Sequence, residues 1–229
     1  MPADRFYLNV PLTEETVVKL EEQEHHHLSR VMRVSPGEEV ELVNGHGSIA
    51  KAIVSRIDKQ ATTLQILTLQ TIPRPSHQII LAIPLMRPNK LELILEKGTE
   101  LGADGFWMYP ADFSEKAELS SNQLERLRNL TISSLKQSGR LFLPSLEVLS
   151  SLENIHGFIL FGDTRENAPK IIHTKLKTET IFISGPERGF SPKEVEFLEQ
   201  KGHGVKLNPN ILRAETAPLA AMSILGSLF

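Results

Sequence analysis

The chain has 229 residues, 40% of them hydrophobic and 23% charged, with no cysteine and a formal net charge of −3. That length holds one large domain or two modest ones, and the missing cysteines exclude disulfides and thiolate metal sites. The slight acidic excess excludes a basic-bodied nucleic-acid binder, so any RNA affinity must rest on local patches.

The start, MPADRFYLNV, lacks the basic-then-apolar pattern of a leader, and no apolar run approaches the roughly 18 residues that span a bilayer. A cytoplasmic protein with no membrane partner is expected. Residues 6–70 read as mostly β, with strands over 39–43, 48–54 and 62–67 divided by Ser35-Pro36-Gly37, Asn44-Gly45-His46-Gly47 and Asp58-Lys59-Gln60. Short strands at this spacing predict a small barrel, with one helix near 25–32. Adjacent side chains diverge, so His25-His26-His27 reads as a polar helix face and no metal site is expected. Arg30 and Arg33, three residues apart on that helix, form a small phosphate-reading patch that Arg5 can join.

Two prolines in Ile72-Pro73-Arg74-Pro75-Ser76 mark a linker and divide the chain into 1–72 and 73–229. The first part carries 7 Lys+Arg against 10 Asp+Glu, and the remainder carries 18 of each. Beyond the linker, strands and helices alternate: strand 78–83, helix 89–101 ended by Gly102, strand 106–110, helix 123–138, strand 157–161. Such alternation predicts an α/β fold with a parallel sheet covered by helices. Trp107 and Phe113, in or beside a strand, read as core.

Two further strand–helix units close the chain. An apolar run at 181–183 leads into GPERGFSPKE. There Gly185 and Gly189 permit close backbone approach, and Ser191, Pro192 and Glu194 spell a capped helix start with a capping box. A second apolar run at 205–207 leads through Asn208-Pro209-Asn210 into a last helix, with Thr216 as its expected cap and Pro218 in its first turn. Free N–H groups at that helix start would suit a ligand's acceptors. A third strand end, 160–166, reads equally as a connector or as a further wall of the same site. In open α/β sheets, loops at strand ends are where ligands bind. No phosphate-loop pattern is present.

The string from Thr180 to Leu225, with GPERGFS followed by ILRAETA, resembles the C-terminal motifs of the RsmE family, the SPOUT-class 16S rRNA (uracil-1498-N3) methyltransferases. That family reads close to GPEGGFS and LGxRILRxETA. HHLSRVMRVSPGEEVELVNGHG, LILEKGTELGADGFWMYPADFSEK and SLKQSGRLFLPSL extend the likeness over nearly the whole chain. The resemblance implies a PUA-like RNA-binding β-barrel followed by a SPOUT-type α/β domain with a C-terminal trefoil knot, normally homodimeric. It implies S-adenosyl-L-methionine (SAM) as cofactor and 16S rRNA, within the 30S subunit, as substrate.

By the same resemblance the SAM contacts fall on Ser184, Gly185, Pro186, Glu187 and Gly189, and on Leu207, Asn208, Ile211, Leu212, Arg213, Thr216 and Ala217, joined by Leu160, Phe161 and Gly162 where the third strand end completes the pocket. His27, Arg30 and Arg33 fall in the RNA-binding domain by that resemblance; Arg5 can join them, and Arg188, a departure from the family, either crowds the cofactor or adds a positive group that contacts RNA. Arg213 and Glu215 would stand at the reacting centre. A sulfonium leaving group asks the protein only for alignment and partial desolvation. The acceptor N3 must lose a proton, which costs about 2.7 kcal/mol if its pKa lies about two units above ambient pH. Arg213 is the cation expected to offset that cost, with Glu215 accepting the proton or orienting Arg213. Arg188 stands where the family has glycine, and Asn208 and Asn210 where it commonly has glycine and arginine. Those departures leave open a SAM- or RNA-binding module without catalysis; a SPOUT enzyme with another RNA target is a separate alternative, against which the full-length likeness argues.

Overall fold

The computed structural model of the chain describes residues 4–116 and 118–228. Two compact units emerge, one of Met1–Arg74 with Leu135–Leu143, the other of Pro75–Ser134 with Pro144–Phe229.

In the first unit, β1 (Arg5–Tyr7), β2 (Val17–Glu21), β3 (Glu39–Val43), β4 (Ser48–Ile57) and β5 (Ala61–Thr71) form one sheet in the order β1-β3-β4-β5-β2. Burial alternates along β5, where Thr62, Leu64 and Ile66 face inward, as a half-buried strand requires. Phe6, Leu20, Leu28, Leu42 and Leu64 fill the concave side. The pairing of β4 with β5 slips at Lys51/Ala52 and again at Val54/Arg56. Such bulges bend a strand and increase its twist, which lets five strands curl around a small core.

The expected single helix near 25–32 is two pieces, α1 (Glu22–His26) and a π-helical turn over His27–Met32. Ser29 Oγ donates to the His25 carbonyl at 2.8 Å, the very acceptor that an α-helical Ser29 N–H would use. Arg33 then leaves the helix in the left-handed region at φ 57°. Arg30 and Arg33 therefore do not share a helix face, although both side chains are exposed. The polar-face reading of the histidines is corrected too: His25 is buried with Nδ1 2.8 Å from Thr62 Oγ1, and only His26 is exposed.

The second unit holds six parallel strands: β6 (Gln78–Pro84), β7 (Gly105–Tyr109), β8 (Ser145–Val148), β9 (Phe158–Gly162), β10 (Glu179–Ile183) and β11 (Gly202–Val205). Their order is β11-β9-β10-β6-β7-β8. Four helices accompany them: α2 (Pro88–Leu101), α3 (Ser121–Ser138), α4 (Pro192–Lys201) and α5 (Thr216–Leu225). Successive residues of β6 point into different cores. Ile79, Leu81 and Ile83 pack with apolar residues of α2, α3 and α5, whereas Ile80 and Ala82 pack with Leu198 of α4. Both faces of the sheet are covered, which explains why the central strands read as unbroken apolar runs.

The last strand lies earlier than its apolar run suggested, at Gly202–Val205, directly after α4. Glycines normally argue against a strand, but here they permit contact. A Cβ on Gly202 would sit 2.6 Å from Ile159 Cγ2, and one on Gly204 would sit 2.6 Å from Asp163 Oδ2.

Candidate functional site

Strands β9, β10 and β11 are adjacent and parallel, so their C-terminal ends meet on one edge of the sheet. The three loops that leave those ends enclose a cavity of about 790 Å³. Its volume lies within the roughly 300–1,000 Å³ of small-molecule sites.

The first wall is Phe161 and Gly162 at the end of β9, followed by Asp163, Thr164 and Arg165. Asp163 N donates to the Val205 carbonyl at 2.9 Å, stitching this loop to β11. The Asp163 carboxylate receives Arg165 at 2.6 Å, and Arg165 also reaches Glu199 at 2.6 Å. Partial burial pushes the Asp163 carboxyl up, but the Arg165 hydrogen bonds outweigh it and hold the group below the ordinary carboxylate range.

The second wall follows β10. Ser184 N donates to the Ala82 carbonyl at 3.0 Å, and the buried Tyr109 hydroxyl donates to the Ser184 carbonyl at 2.8 Å. Burial pushes the Tyr109 phenol well above its usual range, followed by the nearby Glu194 charge, so it stays a donor. Gly189, at φ 77°, returns its N–H to the Pro186 carbonyl at 2.9 Å and closes a tight turn. Arg188 precedes it without positive φ, so the side chain found in place of the family's glycine carries no backbone penalty. Its guanidinium lies 4.9 Å from the centroid of the Phe113 ring, outside the cavity lining. Phe113 thus serves as a half-buried platform for Arg188 and is not core.

The predicted capping box is present. Ser191 Oγ accepts from Glu194 N at 3.2 Å, and the buried Glu194 carboxylate accepts from Ser191 N at 2.7 Å. The same two side chains bind the loop after β7, through the Asp112 carboxylate and the Asp112 N–H.

The third wall is the whole of 206–215 together with Ala217. Asn208 Oδ1 accepts from Asn210 N at 3.0 Å, so the asparagine that departs from the family pattern stabilises its own turn. Ile211 stands 85% exposed on the cavity rim, an apolar side chain left without cover. Thr216 is the first residue of α5 and makes no cap, because the preceding Glu215 already has helical φ and ψ. The Arg213 carbonyl accepts from Thr216 N at 2.9 Å and from Ala217 N at 3.0 Å. The expectation of free donors at this helix start is therefore corrected for those two groups.

Charge gathers at one end of the cavity. Lys90, in the first turn of α2, forms an ion pair with Glu187 of the second loop and lies 3.7 Å from Glu215 of the third. Arg213, 86% exposed, approaches Glu215 only to 4.0 Å. The hydrogen bond to Glu187 raises the Lys90 pKa above its ordinary value against a smaller effect of burial. Burial works against ionised Glu187, but Lys90 and a backbone hydrogen bond prevail and lower its pKa. Four cations (Lys90, Arg165, Lys206, Arg213) and three carboxylates (Asp163, Glu187, Glu215) line the cavity. Such near balance suits a zwitterionic ligand better than a polyanion.

Most residues proposed from sequence converge here. Phe161, Gly162, Ser184, Gly185, Pro186, Glu187, Gly189, Leu207, Asn208, Ile211, Leu212, Arg213, Glu215 and Ala217 all line the one cavity. Leu160 does not; it is fully buried in the core behind the wall. Thr216 does not line it either. The residues proposed for RNA, apart from Arg188, lie in the first unit. Arg30 and Arg33 are exposed, and His27 packs against the Phe6 ring at 5.7 Å. Arg5 is bound to Glu41 at 2.7 Å with a tenth of its side chain exposed, which withdraws it from a phosphate-reading patch. Lys90 was missed altogether. Its signal was a cation in the first turn of a helix, where the backbone dipole disfavours it and another partner is needed.

Residues 73–226 match the family described as RNA methyltransferase domain, and residues 20–67 match the RNA methyltransferase PUA domain. The ribosomal RNA small subunit methyltransferase E of Bacillus subtilis is 30% identical over 220 residues, covering 88% of this chain and 86% of the relative. Its counterpart from Rickettsia conorii is 28% identical over 241 residues, covering 99% and 98%. Among solved structures, the small subunit methyltransferase E of Neisseria gonorrhoeae, bound to S-adenosyl methionine, aligns with a TM-score of 0.89 at 26% identity, covering 99% and 98%. With a SPOUT-type parallel sheet, a PUA-like unit and likeness along its full length, the chain belongs to the ribosomal RNA small subunit methyltransferase E family of RNA methyltransferases.

Proposed function

We propose that this protein transfers a methyl group from SAM to N3 of a uridine in 16S rRNA, acting on the 30S subunit as a cytoplasmic homodimer. The observation that carries the reading is the single cavity formed by three strand-end loops, with apolar surface and a nearly balanced set of charges in its lining. SAM, when bound, supplies a methyl group already activated on a sulfonium. The lining fits it: Phe161, Val205, Leu207 and Leu212 offer apolar surface to an adenine ring, and mixed charges await the amino-acid end. The fragment 73–229 carries this site and the fragment 1–72 docks the RNA.

Within that reading, Glu215 stands between Lys90 and Arg213 and takes the N3 proton of the uracil. Arg213, held by no close partner, turns its guanidinium to the uracil carbonyl oxygens and offsets the charge left on the ring. Arg188, braced on Phe113 beside the second loop, contacts the RNA backbone.

Three measurements test the whole. Calorimetry should show one SAM site per chain, and incubation with unmethylated 30S subunits should place one methyl group on a uracil N3 by nucleoside mass mapping. SAM binding without methyl transfer to any RNA would leave a binding module, and transfer to another RNA would overturn the substrate. A sedimentation mass of one chain would refute the dimer.

A further inference from the structure

The first unit holds a second cavity, about 350 Å³, between the segment after β1 and the turn joining β3 to β4. Asn44 lies in its lining, 5% exposed. The Asn44 carboxamide has a fixed orientation, because Oδ1 accepts from His46 N at 2.9 Å and from Ser48 N at 3.2 Å. Its Nδ2 is consequently turned the other way and makes no hydrogen bond among the described residues. That nitrogen is not sealed from solvent, which leaves it free to donate to a ligand.

Hydrogen bonds to two other segments hold the turn that carries Asn44. Gly47 N donates to Leu141 O at 2.8 Å, Leu143 N to Gly45 O at 2.9 Å, and Ile72 N to Gly47 O at 3.0 Å. Gly45 and Gly47 both hold positive φ, and a Cβ on Gly47 would lie 2.5 Å from the Phe142 ring. The segment after β1 adds apolar lining beside Asn9: Val10, 42% exposed, with Pro11 and the buried Leu12. A fixed donor with a small apolar surface in the same lining suits a flat heteroaromatic ring that presents an acceptor on its edge.

We infer that this cavity receives one unpaired nucleobase of the RNA substrate, with Asn44 Nδ2 donating to a carbonyl oxygen or ring nitrogen on its edge. The inference rests on the reading of the chain as an RNA methyltransferase and adds a base contact remote in sequence from the methyl-transfer site. The lining favours a base over a phosphate here, because the seven residues that form it include no lysine or arginine and offer apolar surface to a ring face.

The test uses the full-length chain labelled with ¹⁵N. Short single-stranded oligouridylate and oligoadenylate should move the Asn44 side-chain NH₂ resonances and the backbone amides of Val10 and Ser48. An abasic ribose-phosphate oligomer of equal length should leave them in place. Asn44→Asp keeps acceptors for the His46 and Ser48 N–H groups and removes the donor. It should bind oligouridylate about tenfold more weakly, with unchanged unfolding temperature and SAM affinity. Thr13→Asp, an exposed neighbour, controls for the added charge and should bind as the parent does. Equal shifts with the abasic oligomer, an Asn44→Asp variant that binds as the parent does, or equal weakening by Thr13→Asp would overturn the proposal. Failure of the methyltransferase reading shows separately, as loss of SAM binding or methyl transfer in the unaltered chain.

Discussion

Arg213, Glu215 and Lys90 divide the work at the cavity end, and their surroundings predict different consequences of losing each. Arg213 is 86% exposed and approaches Glu215 only to 4.0 Å, so Arg213→Ala should keep SAM affinity within about twofold while turnover falls about 100-fold or more. Turnover equal to that of the parent would remove Arg213 from the mechanism. Lys90 is a shared partner of two carboxylates that arrive on different loops. In Lys90→Met the Glu187 carboxyl should titrate at a higher pH than in the parent, where Lys90 helps to hold it below the usual range. A ¹³C titration of the carboxyl resonances reads this, and an unmoved midpoint would show that the ion pair does not form in solution.

The elements that carry these side chains are held by a few local devices. Ser191 caps α4, receives Glu194 in return and also bonds Asp112 beyond β7, so one hydroxyl serves two loops. Ser191→Ala should cost about 1 kcal/mol from the cap, with a further loss because the Asp112 carboxylate forfeits a donor. Urea unfolding measures it; a change near zero would mean that the cap is dispensable. Gly204→Ala has a different origin. The new methyl would fall 2.6 Å from Asp163 Oδ2 and must push the first cavity wall aside, so SAM affinity should drop along with stability. Much of this was legible beforehand, since Ser-Pro-x-Glu is a local signal and the strand-to-helix changes of period mark both crossovers. The last strand was misplaced because glycines that normally break a strand are here required by its close approach to β9. The π-helical turn was equally hidden, since Ser29 gave no warning that its hydroxyl would take a main-chain acceptor.

For the molecule as a whole, charge governs the response to pH and salt. Lys193 and a backbone hydrogen bond lower the Glu153 carboxyl to about 2, and Asp163 and Glu187 are also lowered. A carboxylate with a folded pKa below its unfolded value adds stability that is fully present above the unfolded value and disappears as pH falls through the folded one. Unfolding free energy should therefore hold steady down to about pH 4.5 and decline from there toward pH 2. A profile that is flat across that window would contradict these pairings. RNA binding should show a shallow dependence on salt, because the first unit carries no excess of cations over carboxylates. The double variant Arg30→Ala/Arg33→Ala should flatten it further; an unchanged slope would place the phosphate contacts elsewhere. Among the described residues, no helix is long and apolar enough to cross a membrane.

The sequence by itself determined the strand-end loops, the capped start of α4, the α/β class of the second unit and the motifs that tie the chain to its family. These are written within short stretches, where hydrophobic period, turn chemistry and capping act between near neighbours. Only the tertiary structure decided that β9, β10 and β11 lie side by side, that Lys90 meets Glu187 from 97 residues away, and that Arg5 is spent on Glu41. Those outcomes depend on strand order and on which charges become neighbours across the folded sheet, and no local pattern encodes either.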